Sequence, residues 1–282
     1  MKTDTQLLFR RLRVNGKTLR NRLVMPPMVS NRFIGGPDGR EWYAEHAAGV
    51  GLVIVEATAV GRFGKDLTRR NLAALTRVIH EAGALAAIQL FPVTFGSHLK
   101  PADLGPRQIR GIISQYRVAA HLCAESGFDG IEPHGAHGFI LNQFFSPADN
   151  RRKDTYGGSL ENRMRLGLEI VTACRESMGK DHLLLYRHTP VQEGSYTMQD
   201  SLAFARELVA AGVDILDISP ASDKAPADRA APFMRLGVPV IAVNRMDEEA
   251  RAVEALREKR ADLIAVGRGL IADPRWSQKV LT

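Results

Sequence analysis

The sequence predicts an α/β fold, a single closed (β/α)8 TIM barrel over residues 1–282 with trimmed connections at its catalytic end. Three observations carry that expectation. Eight short apolar runs recur along the chain without the alternation of half-buried strands, as parallel strands covered on both faces do. Longer stretches with helical spacing separate them, and four close on a glycine: Gly83, Gly127, Gly179 and Gly212. The first run leads into PPM rather than a GxGxxG loop, which argues against a doubly wound nucleotide-binding sheet.

The strands follow in order as RLVM (22–25), GLVIVEA (51–57), LAAIQL (85–90), DGIEP (129–133), LLLYR (183–187), DILDIS (214–219), VPVIAV (238–243) and DLIAVG (262–267). Each is four to seven residues of β-branched and aliphatic side chains, the length and composition of a buried strand. The helices are expected at 71–83, 106–127, 159–179, 198–212 and 247–260, where apolar residues return every three to four positions. A strand followed by a helix, repeated eight times with no Pro/Ser/Gly-rich linker, gives one barrel domain. The units show no evident residue-level repeat.

Composition narrows the function. Hydrophobic residues make up 45% of the chain and charged residues 24%, ordinary for a globular enzyme, and no apolar run approaches the ~20 residues that span a bilayer. The N-terminal MKTDTQLLFRRLRVNGK has no hydrophobic signal core, so a cytoplasmic location is expected. Cys123 and Cys174 lie 51 residues apart in helical patterns, which reads as two buried free thiols and argues against an iron-sulfur cluster. The net charge of +7 is spread without a polybasic run, so neither nucleic acid nor membrane is an expected partner. A small-molecule substrate is expected, and a homo-oligomer is compatible with the sequence.

In such a barrel the chemistry sits at the C-terminal ends of the strands. The residues found there are Pro26, Pro27 and Met28; Ala57 and Thr58; Gln89; His134 and His137; Arg187; Asn244 and Arg245; and Gly267 and Arg268. The glycine and arginine after the eighth strand fall where these barrels bind phosphate. Arg187 could equally pair inside the barrel with Glu132 or Asp217, and Gln89 could cap a loop. His134 and His137 could bind metal, pack, or donate hydrogen bonds as a pair; no third ligand with metal spacing accompanies them, so no metal site is expected.

NRLVMPPM (21–28), EATAV (56–60), IQL (88–90), GFDGIEPHGAHGFILNQFFSPADNRRKDTYGGSLENR (127–163) and AVGRGLIADP (265–274) resemble, in order and spacing, the old yellow enzyme family of FMN-dependent NAD(P)H oxidoreductases. The resemblance runs through nearly the whole chain. It implies FMN lying across the strand ends, with NAD(P)H as reductant. Pro26, Pro27, Met28 and Ala57 match positions packed against the isoalloxazine ring; Gln89 matches the ligand of its pyrimidine edge; Arg187 matches the cation facing N1 and O2. Gly267 and Arg268, with the backbone near Asn244 and Arg245, match the phosphate site. His134 and His137 match the pair that polarises the carbonyl of an α,β-unsaturated substrate, so that the alkene accepts hydride from flavin N5.

The family pattern is not followed everywhere. Phe139 stands where many members carry a tyrosine that protonates the substrate, which leaves Tyr196, His188, His98 or water to supply the proton. Val29 stands where a Cys or Thr is common. The segment FPVTFGSHLKPADLGP (91–106) is shorter than its family counterpart, implying a more open site, suited to bulky or polycyclic substrates or else incompletely shielded from water. The chain stops just after the eighth unit, so the cysteine-rich extension of the multidomain reductases is not expected. Besides alkene reduction, reduction of quinone or nitro acceptors and a flavin-binding barrel with little turnover are both compatible with Phe139.

Overall fold

The computed structural model describes residues 5–92, 99–222, 224–225 and 229–281. After a 3-10 turn at Thr5–Phe9, β1 (Leu12–Val14) and β2 (Lys17–Leu19) form an antiparallel hairpin with Leu12 opposite Leu19. Asn15 and Gly16 make its turn at φ 43° and 74°, the paired left-handed geometry for which Asn-Gly is suited. Val14 and Leu19 of this hairpin join the apolar cluster inside the barrel, so it plugs the N-terminal end.

The chain then runs β3 (Leu23–Met25), α1 (Pro37–His46), β4 (Leu52–Ala59), α2 (Arg69–Glu81), β5 (Leu85–Phe91), α3 (Pro106–Glu125), β6 (Gly130–Gly135), α4 (Ile140–Phe145), α5 (Leu160–Met178), β7 (Leu183–His188), α6 (Met198–Ala210), β8 (Ile215–Ile218), β9 (Val240–Ala242), α7 (Glu249–Arg257), β10 (Leu263–Ala265), α8 (Arg268–Ala272) and α9 (Trp276–Leu281). Strands β3 to β10 pair in parallel with their neighbours, and β10 pairs β3 to close the barrel. All eight expected strands and five expected helices form. Gly83, Gly127, Gly179 and Gly212 take φ between 78° and 105°, as helix-closing residues do.

Two sequence expectations fail. Not every strand is followed by an α-helix: between β8 and β9 the described residues hold only a 3-10 stretch, Ala231–Leu236. Pro232 at its start removes a backbone donor, and Gly237, left-handed at φ 81°, stops it ahead of Pro239. A residue-level repeat also exists. Asp129, Asp214 and Asp262 each enter a strand (β6, β8, β10) behind a helix end, in SGFD, AGVD and KRAD. Each accepts a backbone N–H from the preceding strand: Ala86 at 2.9 Å, Leu184 at 2.8 Å and Val240 at 3.1 Å. Asp129 further accepts Lys17 at 3.0 Å and Asp214 accepts Asn15 at 3.4 Å, so the same carboxylates hold the plugging hairpin.

Side-chain parity separates two layers. Val24, Leu52, Ile54, Ala87, Leu183, Leu185, Ile215 and Ile241 fill the barrel interior, whereas Val53, Ile88, Ile131, Leu184, Tyr186 and Leu216 face the helices. Cys123 and Cys174 are buried free thiols between helices, and burial pushes both upward in pKa. Among the described residues no helix is long and apolar enough to cross a membrane.

Candidate active site

Parity along β5 to β8 sends Gln89, Glu132, His134, Arg187, Asp217 and Ser219 inward, above the apolar layers, where all six are buried. Gln89 Nε2 donates to Glu132 Oε1 at 2.8 Å, and Arg187 Nε lies 3.4 Å from Asp217 Oδ2. Arg187 Nη2 donates to Ser219 Oγ at 2.9 Å. The interior pairing foreseen for Arg187 and its position at the strand end thus coexist: one guanidinium is anchored from below and stands at the mouth.

His134 and His137 are set by different elements. His134 ends β6 pointing inward, and the Ala136 N–H donates to its Nδ1 at 3.3 Å, which leaves the ring proton on Nε2. His137 follows in a left-handed conformation, φ 60°, held by its own N–H donating to Thr189 Oγ1 at 2.9 Å. Its Nε2 lies 2.8 Å from Ser219 Oγ. Ser219 Oγ thus touches both Arg187 Nη2 and His137 Nε2 and ties the imidazole to the guanidinium. The rings meet edge to face, 5.4 Å apart. Burial, then the Arg187 charge, hold His134 well below the usual histidine range and His137 at about 4. At neutral pH both are uncharged, each with one N–H.

Phe91 and Phe139 make an apolar corner beside them, 5.0 Å apart edge to face, with Phe139 5.1 Å from His134. Phe139 therefore closes this corner while bringing no exchangeable proton.

Tyr196 does not join the site, and this corrects its assignment as the proton donor. Its hydroxyl donates to Thr189 O at 3.0 Å and accepts from Asn142 Nδ2 at 2.8 Å, and its ring packs on Phe145 at 4.7 Å in the layer between barrel and helices. Burial pushes its phenol up to about 12. His188 is excluded by the same parity: Arg187 points in, so His188 points out, where its Nε2 meets Ser201 Oγ at 2.8 Å and burial lowers it to about 3. His98 lies outside the described residues. No group of three or more His, Cys, Asp or Glu able to hold a metal ion occurs among the described residues.

On the opposite side of the mouth, Pro26 is buried, with Pro27, Met28 and Ala57 half-buried. A Cβ on Gly267 would come 3.2 Å from Met28 Sδ and 3.4 Å from Pro26 Cγ, so glycine lets the ends of β10 and β3 close together. Asn244 and Arg245 are consecutive left-handed residues, φ 95° and 55°, an uncommon and strained pair in which the backbone turns sharply after β9. The Arg245 guanidinium is turned away to Glu248 at 2.8 Å, leaving its main chain at the turn. Asn244 Oδ1 is buried without a hydrogen-bond partner. A Cβ on Gly269 would meet Asp247 Cβ at 2.8 Å, so α8, which begins at Arg268, lies directly against this turn. A planar ring could rest on the apolar β3 and β4 ends between Gln89 and Arg187, with a phosphate at the turn beside Arg268.

Glu56 is a supporting residue that strand-end reasoning passed over. Its Oε2 accepts the Ser30 N–H at 2.7 Å and its own N–H donates to Tyr43 Oη at 2.9 Å, which ties the PPM segment to β4 and α1. Ser219 was equally missed, although strand parity with Asp217 places it inward.

A model of the NADH:flavin oxidoreductase / NADH oxidase family matches residues 95–282. An NADPH dehydrogenase of Geobacillus sp. (strain WCH70) is 32% identical, with 96% of this chain and 92% of the relative aligned. The chain belongs to this family. It is an FMN-dependent NAD(P)H oxidoreductase of the old yellow enzyme type. A NADH oxidase of Thermoanaerobacter brockii is also 32% identical over 96% of this chain, which spans only 50% of that larger protein. Morphinone reductase in complex with tetrahydroNAD superposes with a TM-score of 0.83 at 27% identity, covering 97% of this chain and 90% of the other. The old yellow enzyme homologue from Zymomonas mobilis shares the fold, with a TM-score of 0.82 at 22% identity, covering 96% and 92%. The alignment with the Geobacillus relative extends over 314 positions, more than the 282 residues present here, so that old yellow enzyme relative carries segments this chain lacks.

Proposed function

We propose that this enzyme reduces the activated C=C bond of an α,β-unsaturated carbonyl compound. The observation that carries this reading is the pair of neutral imidazoles, His134 and His137, fixed edge to face 5.4 Å apart next to Gln89 and Arg187. Bound FMN supplies two-electron hydride chemistry, fed by NAD(P)H. Pro26, Pro27, Met28 and Ala57 would bear the ring, Gln89 its pyrimidine edge and Arg187 the edge where negative charge develops. Gly267, Arg268 and the Asn244–Arg245 backbone would hold the phosphate. The two histidines then bind the substrate oxygen. Charge grows on that oxygen as hydride reaches the β-carbon, and two preset donors at low dielectric stabilise it without reorganising. Their lowered pKa values keep them as donors that carry no positive charge in the resting site.

A second reading has an observation of its own. With Phe139 at the corner and Tyr196 and His188 turned outward, none of these three residues offers the alkene α-carbon a proton, which favours water or His98 as the source, or an acceptor that needs no carbon protonation, such as a quinone. Anaerobic reoxidation of the reduced enzyme by cyclohexenone and by menadione separates the readings: comparable rates support alkene reduction, whereas turnover with menadione alone supports the second. A holoenzyme that NAD(P)H does not bleach would refute both and leave a flavin-binding barrel.

A further inference from the structure

Beneath Gln89 and Arg187 lie two acidic side chains that the proposed reaction does not use. Glu132 on β6 and Asp217 on β8 are completely buried. They come from alternate strands with β7 between them, and alternate strands share a layer of a barrel interior, so the two carboxyls face one another there. Two ionised carboxylates cannot hydrogen bond to one another. Glu132 Oε2 and both oxygens of Asp217 otherwise have no hydrogen-bond partner, which is costly for buried charge.

The charges around the pair do not support two anions. From β5 comes the neutral amide of Gln89, from β6 the uncharged His134, from β8 the Ser219 hydroxyl, and from β7 the lone cation Arg187. The remaining interior neighbours on β3, β4, β9 and β10 are Val24, Ile54, Ile241 and Ala265, all apolar. One carboxylate balances one guanidinium; a second would be an uncompensated buried charge.

We propose that Glu132 and Asp217 hold one proton between them, with Glu132 the neutral acid and Asp217 the carboxylate, and that this pair sets how much of the Arg187 charge reaches the cofactor. The hydrogen-bond pattern assigns the proton. Gln89 donates to Glu132 Oε1, so the acid proton sits on Oε2 and is donated to Asp217, while Asp217 lies against Arg187 and keeps the charge. Burial, and next the opposing carboxylate, raise Glu132 well above the usual range, in the same direction. Glu132 and Asp217 are therefore tuning residues acting through Arg187. An ionised Glu132 beside the Asp217 carboxylate would oppose reduction by adding a second negative charge; loss of both carboxylates would leave Arg187 unopposed.

This inference rests on the reading that Arg187 faces FMN, and its test separates the two. Infrared spectra of the holoenzyme should show a carboxylic-acid C=O band that persists across neutral pH and vanishes in Glu132→Gln. The midpoint potential of bound FMN should stay near the wild-type value in Glu132→Gln, which keeps a neutral donor, and shift upward in the Glu132→Gln/Asp217→Asn double variant, which leaves no carboxylate to balance Arg187. Absence of the acid band, or its survival in Glu132→Gln, overturns the shared proton, and Glu132→Gln alone decides this should the double variant not fold. A band lost as expected with a potential that does not rise in the double variant overturns the tuning role and the placement of Arg187 but leaves the shared proton standing.

Discussion

Phe139 puts an apolar ring without an exchangeable proton beside the two histidines. It packs edge-on against Phe91 and His134, where a phenol would project the same ring with an added hydroxyl. Phe139→Tyr is expected to quicken reoxidation by cyclohexenone at least about 10-fold, a fraction of the 10²–10⁴ typical of general acids, and to leave menadione reduction unchanged. Stopped-flow flavin absorbance reads both. At this scale the histidines, Gln89 and Arg187 were legible because they end apolar strands. Tyr196 and His188 misled because closeness in sequence to β7 says nothing of which way a side chain points; Arg187 inward forces His188 outward, and the segment after it carries Tyr196 into the same outer layer.

At the scale of elements, strands and long helices were readable because burial on both faces removes alternation and glycines close the helices. Shorter pieces were not. The β1–β2 hairpin has strands of three residues, too short for a period, although its Asn-Gly turn was visible. Helix α1, PDGREWYAEH, has few apolar residues, and the 3-10 stretch after β8 owes its form to prolines rather than to a pattern. The Asp129, Asp214 and Asp262 ties escaped notice because one residue per unit is a faint repeat. Asp129 accepts Lys17, His80 and the Ala86 N–H, so Asp129→Asn should lower unfolding stability by about 2 kcal/mol in urea titration, as for a lost charge-assisted bond. The α8 terminus and the Asn244–Arg245 turn act as one unit. Arg268→Ala should weaken FMN retention about 10-fold or more, measured by fluorescence of released flavin, with the barrel still folded.

For the whole molecule, pH dependence follows from its buried histidines. His134, His137 and His188 stay neutral in the fold, with His137 at about 4 and His188 at about 3, whereas in the unfolded chain they take up protons near 6.5. The unfolded state therefore binds more protons as pH falls below 6.5, and stability is lost on acidification through that window. Glu132, raised in the fold, works in the opposite sense, leaving about two protons and a slope of about 2.7 kcal/mol per pH unit near pH 5. Urea unfolding between pH 7 and 5 measures it, and a flat profile would mean that these rings are not buried as neutral groups. The same burial that makes the protein acid-sensitive makes the two imidazoles dry, neutral donors at the barrel mouth.

The most direct test is single-turnover reoxidation of the NAD(P)H-reduced holoenzyme by cyclohexenone, compared between wild type and His134→Ala under anaerobic conditions. Removal of one donor should cost about 3 kcal/mol, a slowing of about 10²-fold, with FMN still bound and its reduction by NAD(P)H largely unaffected. Equal reoxidation rates in the two proteins, or an equal loss in both half-reactions, would contradict the assignment of His134 and His137 as the substrate-polarising pair.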